Sequence, residues 1–90
     1  MSEDFAVRVR RLKYRSMHRG TKELDLLLGS FAAAHLDELT PEEVADYEAI
    51  LDADEHDIYL WLTRQAPIPA RYDNAVMDRI LHFEFAKTLR

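Results

Sequence analysis

The sequence predicts an all-α protein: a compact five-helix single domain spanning residues 1–90. Three observations predict it. Apolar residues recur at helical spacing in five successive segments. Two glycines and three prolines in 90 residues are too few for an all-β design, which needs a turn signal every ~8–12 residues. The prolines also stand at segment boundaries, where a missing N–H donor does least harm. Apolar residues make up 48% of the chain, enough for one small core, and cores split into separate domains only above roughly 250 residues.

The first helix is predicted from about Phe5 to Met17. Phe5, Val9 and Leu12 follow the i, i+4, i+7 spacing of one face, beside a separate stripe of Arg8, Arg11 and Arg15. The second begins after Gly20 with the stripe Leu24, Leu27, Leu28 and Phe31. With Gly20 as N-cap, Glu23 falls at N3, where its carboxylate can reach back to the cap N–H and face the positive end of the dipole. The Ala32–Ala34 run continues this helix to an end between His35 and Glu38. The third has the clearest start: Thr40 as N-cap, Pro41 at N1 and Glu43 at N3. Val44, Tyr47 and Leu51 form its buried stripe, and it should end near Ala53. Asp54 can cap a short fourth helix anchored by Ile58, Trp61 and Leu62, which Ala66-Pro67-Ile68-Pro69 must break. The last helix is predicted to start between Ala70 and Asp73 and run to about Thr88. Tyr72, Val76, Ile80 and Phe83 share one face that Met77 and Leu81 widen, and Lys87 and Arg90 stand at the negative end of the dipole.

Composition excludes several function classes. Without cysteine there is no disulfide, thiolate nucleophile or Cys-based zinc site. Gly20 and Gly29 are too far apart to build a phosphate-cradling loop. No apolar run approaches the ~18 residues of a membrane span, and the N-terminus lacks an apolar signal core, so a cytoplasmic location without membrane insertion is expected. The net charge of −5 hides a division. Residues 1–22 hold seven Lys/Arg and two Asp/Glu, a balance of +5; residues 23–90 hold five and fifteen, a balance of −10. A basic arm on an acidic body suggests an oriented interaction. Phosphate contacts from the Arg stripe, with Tyr14 stacking on a base, would make it a nucleic-acid footprint. The plainer reading pairs the arm with the acidic body.

Signals for catalysis are thin. His18, His35, His56 and His82 lie in separate segments, with no pair at i, i+4 to face a zinc ion. Asp52, Asp54, Glu55 and Asp57 cluster around His56, but the glycine and glutamate of a calcium loop are missing, so the cluster reads as a helix junction and no metal is expected. Trp61 belongs to the core stripe; Tyr59 lies off it and is the better surface aromatic.

The most informative stretch is His18-Arg19-Gly20-Thr21-Lys22-Glu23. A tight reversal that needs positive φ explains Gly20 and Glu23. It leaves Arg19 unexplained, and an Arg on a loop offers a planar fork for carboxylates or carbonyls, which points to a contact site. Both readings fit the residues.

At this stretch the chain resembles the succinate dehydrogenase flavin-assembly factors, the bacterial SdhE type and its mitochondrial relatives. Arg19-Gly20-x-x-Glu23, followed by Leu24-Asp25 and Phe31, is similar to the family's RGxxE signature. Leu51-Asp52-x-Asp54-x-x-Asp57-Ile58-Tyr59-x-Trp61-Leu62 is similar to its acidic junction leading into a Trp-Leu helix. The likeness covers about residues 5–88. His18 departs from members that carry a second Arg there. The resemblance implies an assembly chaperone, not an enzyme, that binds the flavoprotein subunit of succinate dehydrogenase, and the related fumarate reductase subunit, and promotes covalent attachment of FAD. No cofactor is then held stably; the FAD is the partner's. On this reading the contact residues are Arg19, Gly20, Thr21, Lys22 and Glu23, with Arg15 and Tyr59 extending the patch. A generic helical interaction adaptor and a basic-arm nucleic-acid binder are the alternatives.

Overall fold

A computed structural model describes residues 4–83. Five α-helices and two 3-10 turns follow one another, with no strand among the described residues: α1 Phe5–Met17, α2 Lys22–His35, a 3-10 turn Leu36–Glu38, α3 Pro41–Leu51, α4 Glu55–Leu62, a 3-10 turn Ala70–Tyr72 and α5 Ala75–Leu81. α1 and α2 pack as a helical hairpin, and α3 lies against α1, α4 and α5. The core runs through all five helices; Leu12, Leu24, Leu28, Phe31, Val44, Tyr47, Ile50, Ile58, Met77 and Ile80 are sealed from solvent. Each such side chain contributes about 1.5–3 kcal/mol by leaving water.

Local chemistry sets most boundaries. Asp4 caps α1, accepting from the Ala6 N–H. Thr40 and Glu43 form the expected reciprocal box at the start of α3. Asp54 accepts from the His56 and Asp57 N–H groups at the start of α4. α3 ends at Leu51, two residues before the expected Ala53, because Asp54 must be extended to cap the next helix.

Three expectations are corrected. Phe5 does not join the core: it is exposed, at the lip of an open cleft with Val9, Lys13 and Asp37, and Ser16 takes the next buried place on the Val9–Leu12 stripe. Gly20 is not the N-cap of α2. Its φ of +95° lies outside the extended conformation a cap requires, whereas Thr21 has it (φ −110°, ψ 118°). Glu23 therefore stands at N2, with no capping box. α5 begins later than predicted, at Ala75, because the Asn74 side chain accepts from the Met77 N–H and caps the helix there. Tyr72 falls in the preceding 3-10 turn, where its ring packs 4.9 Å from that of Trp61. α5 also ends sooner, at Leu81. Phe83 lies beyond it and meets Phe31 edge-on at 5.8 Å. Lys87, Thr88 and Arg90 are outside the described residues.

Candidate partner-binding site

The residues singled out in the sequence meet where α1 turns into α2. α1 closes with the His18 N–H bonded to the Arg15 carbonyl. α2 opens with the Asp25 N–H bonded to the Thr21 carbonyl. Between them the chain reverses through Gly20, whose left-handed φ costs other residues about 1–2 kcal/mol. A Cβ built on Gly20 meets no atom within 4 Å, so the requirement that this chain itself sets here is conformational, not spatial.

Arg19 is not the free fork that its loop position suggests. Its backbone N–H donates to the Asp25 carboxylate at 2.7 Å. Its side chain is half-buried, and its Nε is fully enclosed without a hydrogen-bond partner. The Arg19 cation acts on Tyr47, whose hydroxyl lies 2.6 Å from Ser16 Oγ and 3.4 Å from the Leu28 carbonyl. Burial pushes the Tyr47 phenol up to about 12, although the Ser16 hydrogen bond and the Arg19 and Arg15 cations favour its ionised form.

Most of the other candidates have partners as well. Arg15 pairs with Asp52 at 2.7 Å. The Thr21 hydroxyl donates to Glu55 rather than to the first turn of α2. Tyr59 is half-buried; its hydroxyl donates to Glu23 at 3.1 Å, and that hydrogen bond to a carboxylate raises its pKa. Lys22 is exposed. Thr21, Glu23, Glu55, His56 and Tyr59 thus line one cleft of about 400 Å³ between the starts of α2 and α4. A second cleft of similar size holds Tyr14, Arg15, His18, Arg19, Asp52 and Glu55 on the other side of the turn.

Two features were missed in the sequence. Met17 and Leu26 are exposed large hydrophobics beside the turn; surface exposure on otherwise regular helices leaves no periodic signal. Gly29 is a close approach of α2 to the end of α1, since a Cβ there would stand 3.0 Å from Met17 Cγ. Tyr14 is also exposed and stacks on His18, with centroids 4.0 Å apart.

The charge division resolves into pairing. Arg8 binds Glu48 at 2.8 Å, Lys13 binds Asp37 at 2.7 Å, and Arg15 binds Asp52. The acidic junction is likewise committed: Asp52 to Arg15, Asp54 to the α4 cap and Glu55 to Thr21. Among the described residues no group of three or more His, Asp or Glu is placed to hold a metal ion. No helix among them is long and apolar enough to cross a membrane.

Comparison with known proteins bears on this turn and the helices around it. The model of a family described as "Flavinator of succinate dehydrogenase" matches residues 10–84. The chain is 38% identical over 79 residues to the FAD assembly factor SdhE of Acetobacter pasteurianus, covering 88% of this chain and 72% of that protein. It is 46% identical over 68 residues to the mitochondrial succinate dehydrogenase assembly factor 2 of Candida glabrata, covering 72% of this chain and 44% of that one. Against the corresponding Kluyveromyces lactis protein the identity is 42% over 80 residues, covering 86% and 48%. The chain spans less than half the length of these two mitochondrial relatives.

Proposed function

The chain belongs to the family of succinate dehydrogenase flavinators, and from that premise we propose that it binds the flavoprotein subunit of succinate dehydrogenase and promotes covalent attachment of FAD to it. The fumarate reductase flavoprotein, as a related subunit, is a second proposed client. The protein acts as an assembly chaperone in the cytoplasm. The chemistry of bond formation belongs to the partner and its flavin, which this chain does not hold stably.

The observation that carries this reading is the Arg19–Glu23 turn, the junction of basic helix and acidic body, which lies inside residues 10–84, the span the family model matches. In the proposed complex Gly20 lets the partner's backbone come close, and Arg19 offers its guanidinium to partner carboxylates or carbonyls. Thr21 and Lys22 add contacts. Glu23, braced by Tyr59, receives a partner cation or N–H. Arg15, held against Asp52, extends the patch. The geometry favours this over nucleic-acid binding, because Arg8, Lys13 and Arg15 already face body carboxylates, whereas a phosphate footprint needs its cations free.

The test is in-gel flavin fluorescence of the succinate dehydrogenase flavoprotein in cells lacking this gene and complemented with variants. Wild type is expected to restore covalent flavin, and Arg19→Ala and Gly20→Arg are expected to fail. Undiminished covalent flavin in the deletion strain would refute the function. Full restoration by both variants would refute the site.

A further inference from the structure

We infer that Asp25 is the positioning residue of this site: its carboxylate clasps the backbone of Arg19 and so fixes the turn presented to the partner. The inference rests on the function proposed above and adds to it a residue that touches no partner.

The turn has few internal restraints. Among the described residues nothing accepts from the Gly20 and Thr21 N–H groups, and the Thr21 hydroxyl is committed to Glu55 across the cleft. The Arg19 N–H is the exception, at 2.7 Å from Asp25 Oδ1 in a part-buried position. Asp25 itself is anchored twice: its own N–H bonds to the Thr21 carbonyl, and it stands in the first turn of α2, where the dipole favours a carboxylate. A charge-assisted bond of this length is among the stronger kinds. With the Asp25 N–H bond to the Thr21 carbonyl it closes a ring around Gly20, whose φ is +95°. The same bond holds Arg19 where its Nε is enclosed without a partner, a state that an untethered loop would leave. Without the clasp, the docking-competent turn becomes a fraction of the population, and apparent affinity falls by that fraction.

The experiment compares Asp25→Ala, Asp25→Asn and Asn74→Ala in the full chain. Asparagine keeps an acceptor oxygen at the same place. Asn74→Ala removes the cap of α5, a comparable loss of stability remote from the turn. Asp25→Ala is expected to bind the purified flavoprotein subunit about tenfold more weakly, while Asp25→Asn stays within about threefold and Asn74→Ala binds as wild type does. Saturating Asp25→Ala should restore the full flavinylation rate, because position is lost and not a reacting group. In the free protein, amide exchange at Arg19 should rise in Asp25→Ala and not in Asn74→Ala. Wild-type affinity in Asp25→Ala, equal weakening in Asn74→Ala, a rate that saturation does not restore, or unchanged exchange at Arg19 would each overturn the inference. Wild-type chain that fails to bind the subunit would instead overturn the proposed function, and the exchange measurement would still decide whether the clasp exists.

Discussion

Arg19 carries a buried Nε–H that no group among the described residues accepts. Leaving a buried donor unsatisfied costs about 1–3 kcal/mol, so this residue lowers the stability of the free protein. Arg19→Met keeps the length and the apolar stem and removes the orphaned donor. Urea denaturation should show the variant more stable by about 1 kcal/mol, while it fails to support flavinylation. A loss of stability would mean that the guanidinium is satisfied in solution. Tyr47, on which the Arg19 cation acts, sets a second expectation. Its phenol titrates near 10 when unfolded and is pushed up to about 12 by burial in the folded protein. Between those values the unfolded chain releases the proton first, so ionisation favours unfolding. The contribution is fully present below about pH 10 and is lost as pH rises toward about 12, a total of roughly 2–3 kcal/mol. Tyr47→Phe should be less stable by about 1 kcal/mol near neutrality, having lost the bond to Ser16. It should also lack this alkaline slope, so the two stability curves converge above about pH 10. Parallel curves would show that Tyr47 ionises without unfolding the chain.

At the scale of helices, ends decide more than middles. α4 stops at Leu62, well before the two prolines, through a C-terminal motif in which the Gln65 N–H bonds to the Leu60 carbonyl and the Arg64 N–H to that of Trp61. The residue at the left-handed position is Arg64, with φ +61°, where glycine is favoured. Its guanidinium reaches the Leu81 carbonyl at 3.3 Å, an exposed bond that offsets little of the strain. Arg64→Gly is therefore expected to raise thermal stability by about 0.5–1 kcal/mol, read by calorimetry; a lower melting temperature would mean that the link to Leu81 outweighs the strain. The same contrast explains what the sequence disclosed. Thr40-Pro41-x-Glu43 and Asp54 announced their helices because a cap is a local hydrogen bond between residues three apart or fewer. Asn74 was equally available as a cap, but the apolar spacing of Tyr72 with Val76 drew the predicted start upstream. The turn residues were legible by type and spacing. Their partners were not: Asp52, Glu55 and Tyr59 reach Arg15, Thr21 and Glu23 from more than thirty residues away, and periodicity carries no signal at that range.

Across the whole molecule, the basic arm and the acidic body are one folded unit and not two interaction surfaces. The pairs Arg8–Glu48, Lys13–Asp37 and Arg15–Asp52 are partly exposed and contribute only about 0–1 kcal/mol each. They tie three of the arm's seven cations to the body. Beside the remaining charges, the surface offers a partner exposed apolar side chains. Of the four exposed large hydrophobics among the described residues, Tyr14, Met17 and Leu26 flank the Arg19–Gly20 turn, while Phe5 stands at the far end of α1, about 18 Å of helix away. Interfaces draw their affinity from buried aromatic and aliphatic anchors, with surrounding charges setting orientation. Tyr14→Ala and Leu26→Asp are therefore expected to weaken binding to the flavoprotein subunit about tenfold each while changing folding stability by less than about 0.5 kcal/mol, as surface substitutions do. Phe5→Asp removes a comparable exposed hydrophobic away from the turn and should leave binding unchanged. Titration of the three variants against the purified subunit, with melting curves alongside, separates the outcomes. If Phe5→Asp weakens binding as much as Leu26→Asp, the docking face extends along α1 and the turn is not its centre. If neither Tyr14→Ala nor Leu26→Asp has an effect, affinity resides in the polar residues of the turn itself.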